Sequence, residues 1–92
     1  MRFHYSKVKS AALRKNPRRA IGFEEATEVF FTPHYVDQRA DWPGQYRAIG
    51  WAKGKLYTVI FEVREDRVGE YYHLVTLWKS TQEERWLYEQ SS

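Results

Sequence analysis

The sequence predicts a small α+β domain, an antiparallel sheet covered by helices, and three observations predict it. The stretch from Tyr46 to Lys79 holds three consecutive apolar, β-branched and aromatic segments separated by very short polar turns. Two segments before it and one after it carry helical start and stop signals. The whole chain is 92 residues long, enough for one modest core and no second domain.

The central segments read as a meander. Tyr46–Ala52 leads through Lys53-Gly54 into Leu56–Val63, and Arg64-Glu65-Asp66-Arg67 leads into Glu70–Trp78. Strands joined by connections this short are antiparallel neighbours. At the N-terminus, Arg2-Phe3-His4-Tyr5 alternates polar and apolar residues and predicts a short edge strand. Ser6 suits a helix N-cap, and a basic helix follows over Lys7–Lys15, with Val8, Ala11 and Ala12 sharing the face toward the sheet. Pro17 stops it. A second helix opens at Gly22-Phe23 and ends at Thr32-Pro33. Phe23, Ala26, Val29 and Phe30 form its apolar face, and Glu24, Glu25 and Glu28 form its polar one. Residues 34–45 form a polar excursion whose first residues pair as a brief strand and whose remainder, with Trp42, is a candidate contact loop. Ser80-Thr81-Gln82-Glu83 has the spacing of a capping box and opens a last helix, running to about Glu89, with Trp86 and Leu87 as its apolar surface.

Composition excludes several function classes. There is no cysteine, so disulfides and thiolate metal sites are ruled out. His4, His34 and His73 are far apart and show no metal-ligand spacing, so no metal or other cofactor is expected. No nucleophile elbow, Gly-rich phosphate loop or dinucleotide fingerprint occurs. No apolar run reaches the length of a membrane span, and the N-terminus is too basic for a signal peptide, so a soluble cytoplasmic protein is expected.

The formal net charge of +3 is unevenly spread. Residues 1–22 carry seven Lys or Arg and no acid, and the remainder carries eight against all twelve acids. Such a segment either meets phosphate or an acidic partner or forms a solvated helix face. Along the meander and its ends, Arg47, Lys53, Lys55, Arg64, Arg67, His73, Lys79 and Arg85 interleave with Tyr46, Trp51, Tyr57, Tyr71, Tyr72 and Trp78. Cations bind phosphate and rings stack unpaired bases. RNA also carries its own nucleophile, the 2′-hydroxyl, so cleavage requires only alignment, a proton acceptor and neutralisation of phosphate charge. The competing reading is an ordinary sheet with charges on its wet face.

A resemblance bears on that choice. Phe23-Glu24-Glu25-Ala26 with Val29-Phe30 and Pro33, Phe3-His4-Tyr5 with Ser6 and Lys9, Arg47-Ala48-Ile49-Gly50 with Gly54-Lys55-Leu56, and Ser80 through Glu89 follow in the order and spacing of the BrnT-type toxins. The chain resembles these ribonuclease halves of type II toxin–antitoxin pairs almost end to end. It departs from them at Asn16-Pro17-Arg18, where the family has lysine-histidine-glycine. It departs again in the last strand, where His73 and Trp78 replace arginines. The resemblance implies a RelE-like fold and metal-independent mRNA cleavage. It also implies a small DNA-binding antitoxin as partner in a hetero-oligomer. The expected catalytic residues are Arg64, His73 and Lys79, and the expected RNA-binding residues are Arg47, Lys53, Lys55 and Arg85, with Glu24 and Glu25 as weaker candidates. The alternative is a catalytically weak relative that binds RNA or protein.

Overall fold

In a computed structural model, which describes residues 1–91 of the expected 1–92 domain, the Tyr46–Lys79 meander forms the centre of a five-stranded sheet. The strands are β1 (Phe3–His4), β2 (Tyr35–Gln38), β3 (Tyr46–Ala52), β4 (Lys55–Glu65) and β5 (Glu70–Lys79), in the spatial order β1-β5-β4-β3-β2. The meander and β2 pair antiparallel. β1 is the exception to the expected antiparallel sheet. It lies on the edge but runs parallel to β5, and the chain passes from it through the two N-terminal helices to β2 at the opposite edge, so no short turn constrains its direction. The class is α+β, as expected.

The turns follow from local chemistry. Lys53 and Gly54 both have positive φ, 50° and 78°, and this left-handed pair closes a two-residue hairpin. The second turn lies further along than expected. β4 runs on through Arg64 and Glu65, and Asp66 to Gly69 make the reversal. The Asp66 carboxylate accepts from the backbone N–H groups of Val68 and Gly69, and Arg2 pairs with it at 2.8 Å. This polar clamp fixes the turn after the strand has ended.

Helix α1 (Lys7–Lys15) is capped by Ser6, whose hydroxyl accepts from the Lys9 N–H at 3.1 Å. Its buried face differs from the expected one. Val8 is 83% exposed, and Ser10 and Leu13 are the buried residues. Ser10 is buried because its hydroxyl accepts from the Phe23 N–H at 2.8 Å and donates to Glu24, which supplies a cap to the next helix from a neighbouring one. Helix α2 (Phe23–Ala26) is a single turn that tightens into a 3-10 stretch over Thr27–Phe31. A side chain at Gly22 would lie within 2.9 Å of the Ser10 carbonyl, so the two helices meet where glycine leaves room.

One sheet face carries the core. Ala48, Tyr57, Val59, Phe61, Leu74 and Leu77 bury themselves under Phe23, Ala26 and Val29, as the predicted apolar face of the second helix requires. Phe3, Phe30 and Tyr72 extend it as a tilted and edge-on ring cluster.

Helix α3 (Gln82–Ser91) covers part of the other face. Its capping box sits one residue later than the spacing suggested. The Thr81 hydroxyl accepts from the Glu84 N–H at 3.2 Å, and Glu84 accepts from the Thr81 N–H at 2.9 Å. Trp86 is exposed, and Glu84 is the residue α3 buries.

Candidate functional site

Side chains alternate across a strand, so each residue of the meander belongs either to the helix-packed face or to the opposite one. On that opposite face, beyond the end covered by α3, the register builds a transverse row. His4 of β1 lies beside His73 of β5, and His73 lies opposite Glu62 of β4. Gln45, the residue before β3, donates its amide to Glu62 at 3.0 Å. Directly paired positions hold their Cβ atoms about 5 Å apart. Two imidazoles and a carboxylate therefore stand in line across three strands.

The next rung completes the group. Arg64 and Tyr71 face each other across β4 and β5, and Arg64 donates to the Glu62 carboxylate at 2.6 and 3.0 Å. His4 stacks on Tyr71 with ring centroids 4.0 Å apart, and Arg2 lies over the same ring. Tyr71, His73 and Glu62 are half-buried, while His4 and Arg64 are exposed. The row is both anchored and open.

Its electrostatics separate the roles. Hydrogen bonds from Gln45 and Arg64 hold the Glu62 carboxyl below its ordinary value, so it is a carboxylate at neutral pH. Partial burial and the nearby Arg64 charge lower the His73 pKa, with smaller contributions from His4 and Lys9, and Glu62 opposes them. His73 is therefore largely the neutral, proton-accepting imidazole near pH 7.

Of the residues predicted from sequence, the structure brings Arg64 and His73 together and disperses the rest. Lys79 lies on the opposite sheet face, where its ammonium reaches the Pro17 carbonyl at 3.4 Å. Lys53 and Lys55 are at the far hairpin, on the order of 30 Å from Arg64 along β4. Lys53 pairs there with Glu28 at 3.7 Å. Arg85, on α3, sits over the Trp51 ring near that same hairpin. Glu24 and Glu25 are tied to Arg14 and Ser10 at the joint between α1 and α2.

Arg47 shares the face of the row but is fully engaged. It donates to both oxygens of Asp37, at 2.9 and 2.5 Å, and reaches Glu84 at 3.5 Å. Burial raises the Asp37 pKa, and the bonds from Arg47 and Tyr35 outweigh it to give a net lowering. Glu84 is 5% exposed and also accepts from the Thr58 hydroxyl, the Trp78 indole and the Thr81 backbone. This network is a buried polar support that joins α3 and β2 to the sheet, with Arg47 at its centre.

Glu62, His4 and Gln45 were not among the site residues expected from sequence, whereas Tyr71 was among the rings expected to stack bases. One signal was present. Glu62 and Arg64 alternate with Phe61 and Val63, as do Tyr71 and His73 with Tyr72 and Leu74, which places each pair on one face. Among the described residues, no three His, Asp or Glu side chains are grouped to hold a metal ion. No protein-family model and no curated protein matches this chain.

Proposed function

We infer that this chain is an endoribonuclease that cleaves single-stranded RNA by attack of the substrate's own 2′-hydroxyl, without a metal. The observation that carries the reading is the row His4–His73–Glu62 with Arg64 on the adjoining rung. A phosphodiester placed over it meets each group the reaction needs. His73 takes the 2′-hydroxyl proton, and the 2′-oxygen forms its bond to phosphorus. The bond from phosphorus to the 5′-oxygen breaks, and His4, one strand away, returns a proton to that leaving oxygen. Arg64 offsets the charge that builds on the phosphoryl oxygens, and Glu62 holds Arg64 and stabilises the imidazolium formed at His73. Tyr71 offers a ring face beside the site for a base.

The resemblance to BrnT-type toxins supports a cytoplasmic setting, a RelE-like fold and mRNA as substrate. It also supports a small DNA-binding antitoxin as the neutralising partner in a hetero-oligomer. A second reading has its own observation. Arg47 is consumed by Asp37 and Glu84, and Lys79 faces away, so fewer cations meet the row than the resemblance implies. That favours a weakly catalytic module that binds RNA or protein.

The test is incubation of the purified chain, in EDTA, with free unstructured RNA and with ribosome-bound messenger. Cleavage of either to fragments with 2′,3′-cyclic phosphate and 5′-hydroxyl ends is the expected result. Intact RNA in both, or 5′-phosphate ends, contradicts it and leaves the binding module.

A further inference from the structure

Beside the row, on the same sheet face, lies a cavity of about 400 Å³ whose floor is the Trp78 ring, with the fully buried Ile60 beneath, and whose rim is the loop after β2, with Arg39 and Asp41. A single amide joins it to the row. Gln45 accepts from Arg39 at 3.0 Å and donates to Glu62 at 3.0 Å. The pocket is preformed. The Trp78 indole N–H is held by the buried Glu84, and the wall formed by Asp37 and Arg47 is locked as an ion pair. Asp41 is exposed on the rim, and among the described residues it belongs to no ion pair.

We propose that this pocket is a guanine-binding subsite, which seats the base of the nucleotide next to the scissile phosphate. The half-buried Trp78 ring takes the flat base, as proteins take splayed bases of single-stranded RNA. The Asp41 carboxylate selects among the four. Only guanine presents two parallel donors, N1–H and the 2-amino group, on its pairing edge, and a carboxylate accepts both at once. Adenine and cytosine present one amino donor there, and uracil one imino donor. Arg39 spends one N–H on Gln45 and has others for the guanine O6 and N7 acceptors. Trp78 stands where the BrnT-type pattern has arginine, so the substitution exchanges a cation for a base platform. The pocket's place next to the scissile bond rests on the ribonuclease reading, but base binding does not.

Binding is therefore measured without cleavage. The full chain is titrated with GMP, AMP, CMP and UMP, and the Trp78 indole N–H resonance is followed by NMR, assigned by its loss in Trp78→Phe. GMP is expected to shift it with an affinity about tenfold or more above the other three. In Asp41→Asn, which offers one acceptor and one donor, that advantage disappears while the folded spectrum is kept. Equal affinities for all four nucleotides, no response of Trp78, or an unchanged guanine preference in Asp41→Asn overturns the proposal. If RNA stays intact in the cleavage test while GMP binds selectively, the ribonuclease reading fails and the subsite stands.

Discussion

Arg47 shows how a residue's type and its role part company. From sequence it is one more cation on an aromatic sheet. In the fold it satisfies two carboxylates, Asp37 and the buried Glu84. Removing it leaves both without a cationic partner. Arg47→Ala is expected to cost about 2–4 kcal/mol, read as a lower midpoint in thermal melting, with Glu84→Ala falling in the same range. If Arg47→Ala melts like the wild type, the ion-pair network is not a structural support. His73 was identifiable as a titratable residue on a strand, but its partners were not. The sequence places Glu62 eleven positions away, and only the β4–β5 register makes them neighbours.

At the scale of elements, strands were legible and faces were not always so. Apolar, β-branched and aromatic runs between short polar turns locate β3, β4 and β5. A single residue of register separates Lys79 from its expected face. It lies six positions after His73, and an even step puts both on one face of a regular strand. Phe61 pairs with Leu74 and Ile60 with Thr76, so Val75 is an extra residue. This bulge reverses the parity and turns Lys79 to the helix-packed side. Nothing in the local sequence marks it.

Helix α1 departs from its predicted face for a different reason. Serine counts as polar in any periodicity, yet Ser10 is buried to cap α2. Leu13→Ala should therefore lose about 2–4 kcal/mol, whereas Val8→Glu, at an 83% exposed position, should change stability by less than about 0.5 kcal/mol. Urea unfolding of the two variants checks the orientation, and a larger loss from Val8→Glu reverses it. The capping box slipped by one because Ser80 with Glu83 and Thr81 with Glu84 fit the same spacing. The second wins because Thr58 and Trp78 also bind the Glu84 carboxylate.

Across the whole molecule, the two-ended charge of the sequence becomes a set of clamps. Arg2 with Asp66, Arg14 with Glu24 and Glu25, and Arg47 with Asp37 tie separate segments together, and Arg64 with Glu62 pairs two side chains of one strand. All five of these carboxyl groups have pKa values below their ordinary ones. A depressed folded-state value means that the unfolded chain binds protons first on acidification. Their stabilisation is present above the unfolded carboxylate pKa near 4 and is lost as pH falls below it. His73 acts in the same sense at higher pH, because its lowered pKa makes the folded chain the poorer proton acceptor just below 6.5. The urea midpoint is expected to be highest near neutral pH, somewhat lower at pH 5.5 and clearly lower at pH 3. A midpoint that is flat or rises on acidification contradicts these clamps.

The central claim is that the catalytic group is a row on one sheet face, and single-turnover RNA cleavage tests it most directly. Wild type is compared with His73→Ala, Glu62→Gln and Lys79→Ala on whichever substrate, free RNA or ribosome-bound messenger, the wild type cuts. The row predicts losses on the order of 100-fold or more for His73→Ala and Glu62→Gln, and a rate within about threefold of wild type for Lys79→Ala. Equal losses in all three, or a Lys79 variant slower than the His73 one, would place the chemistry elsewhere.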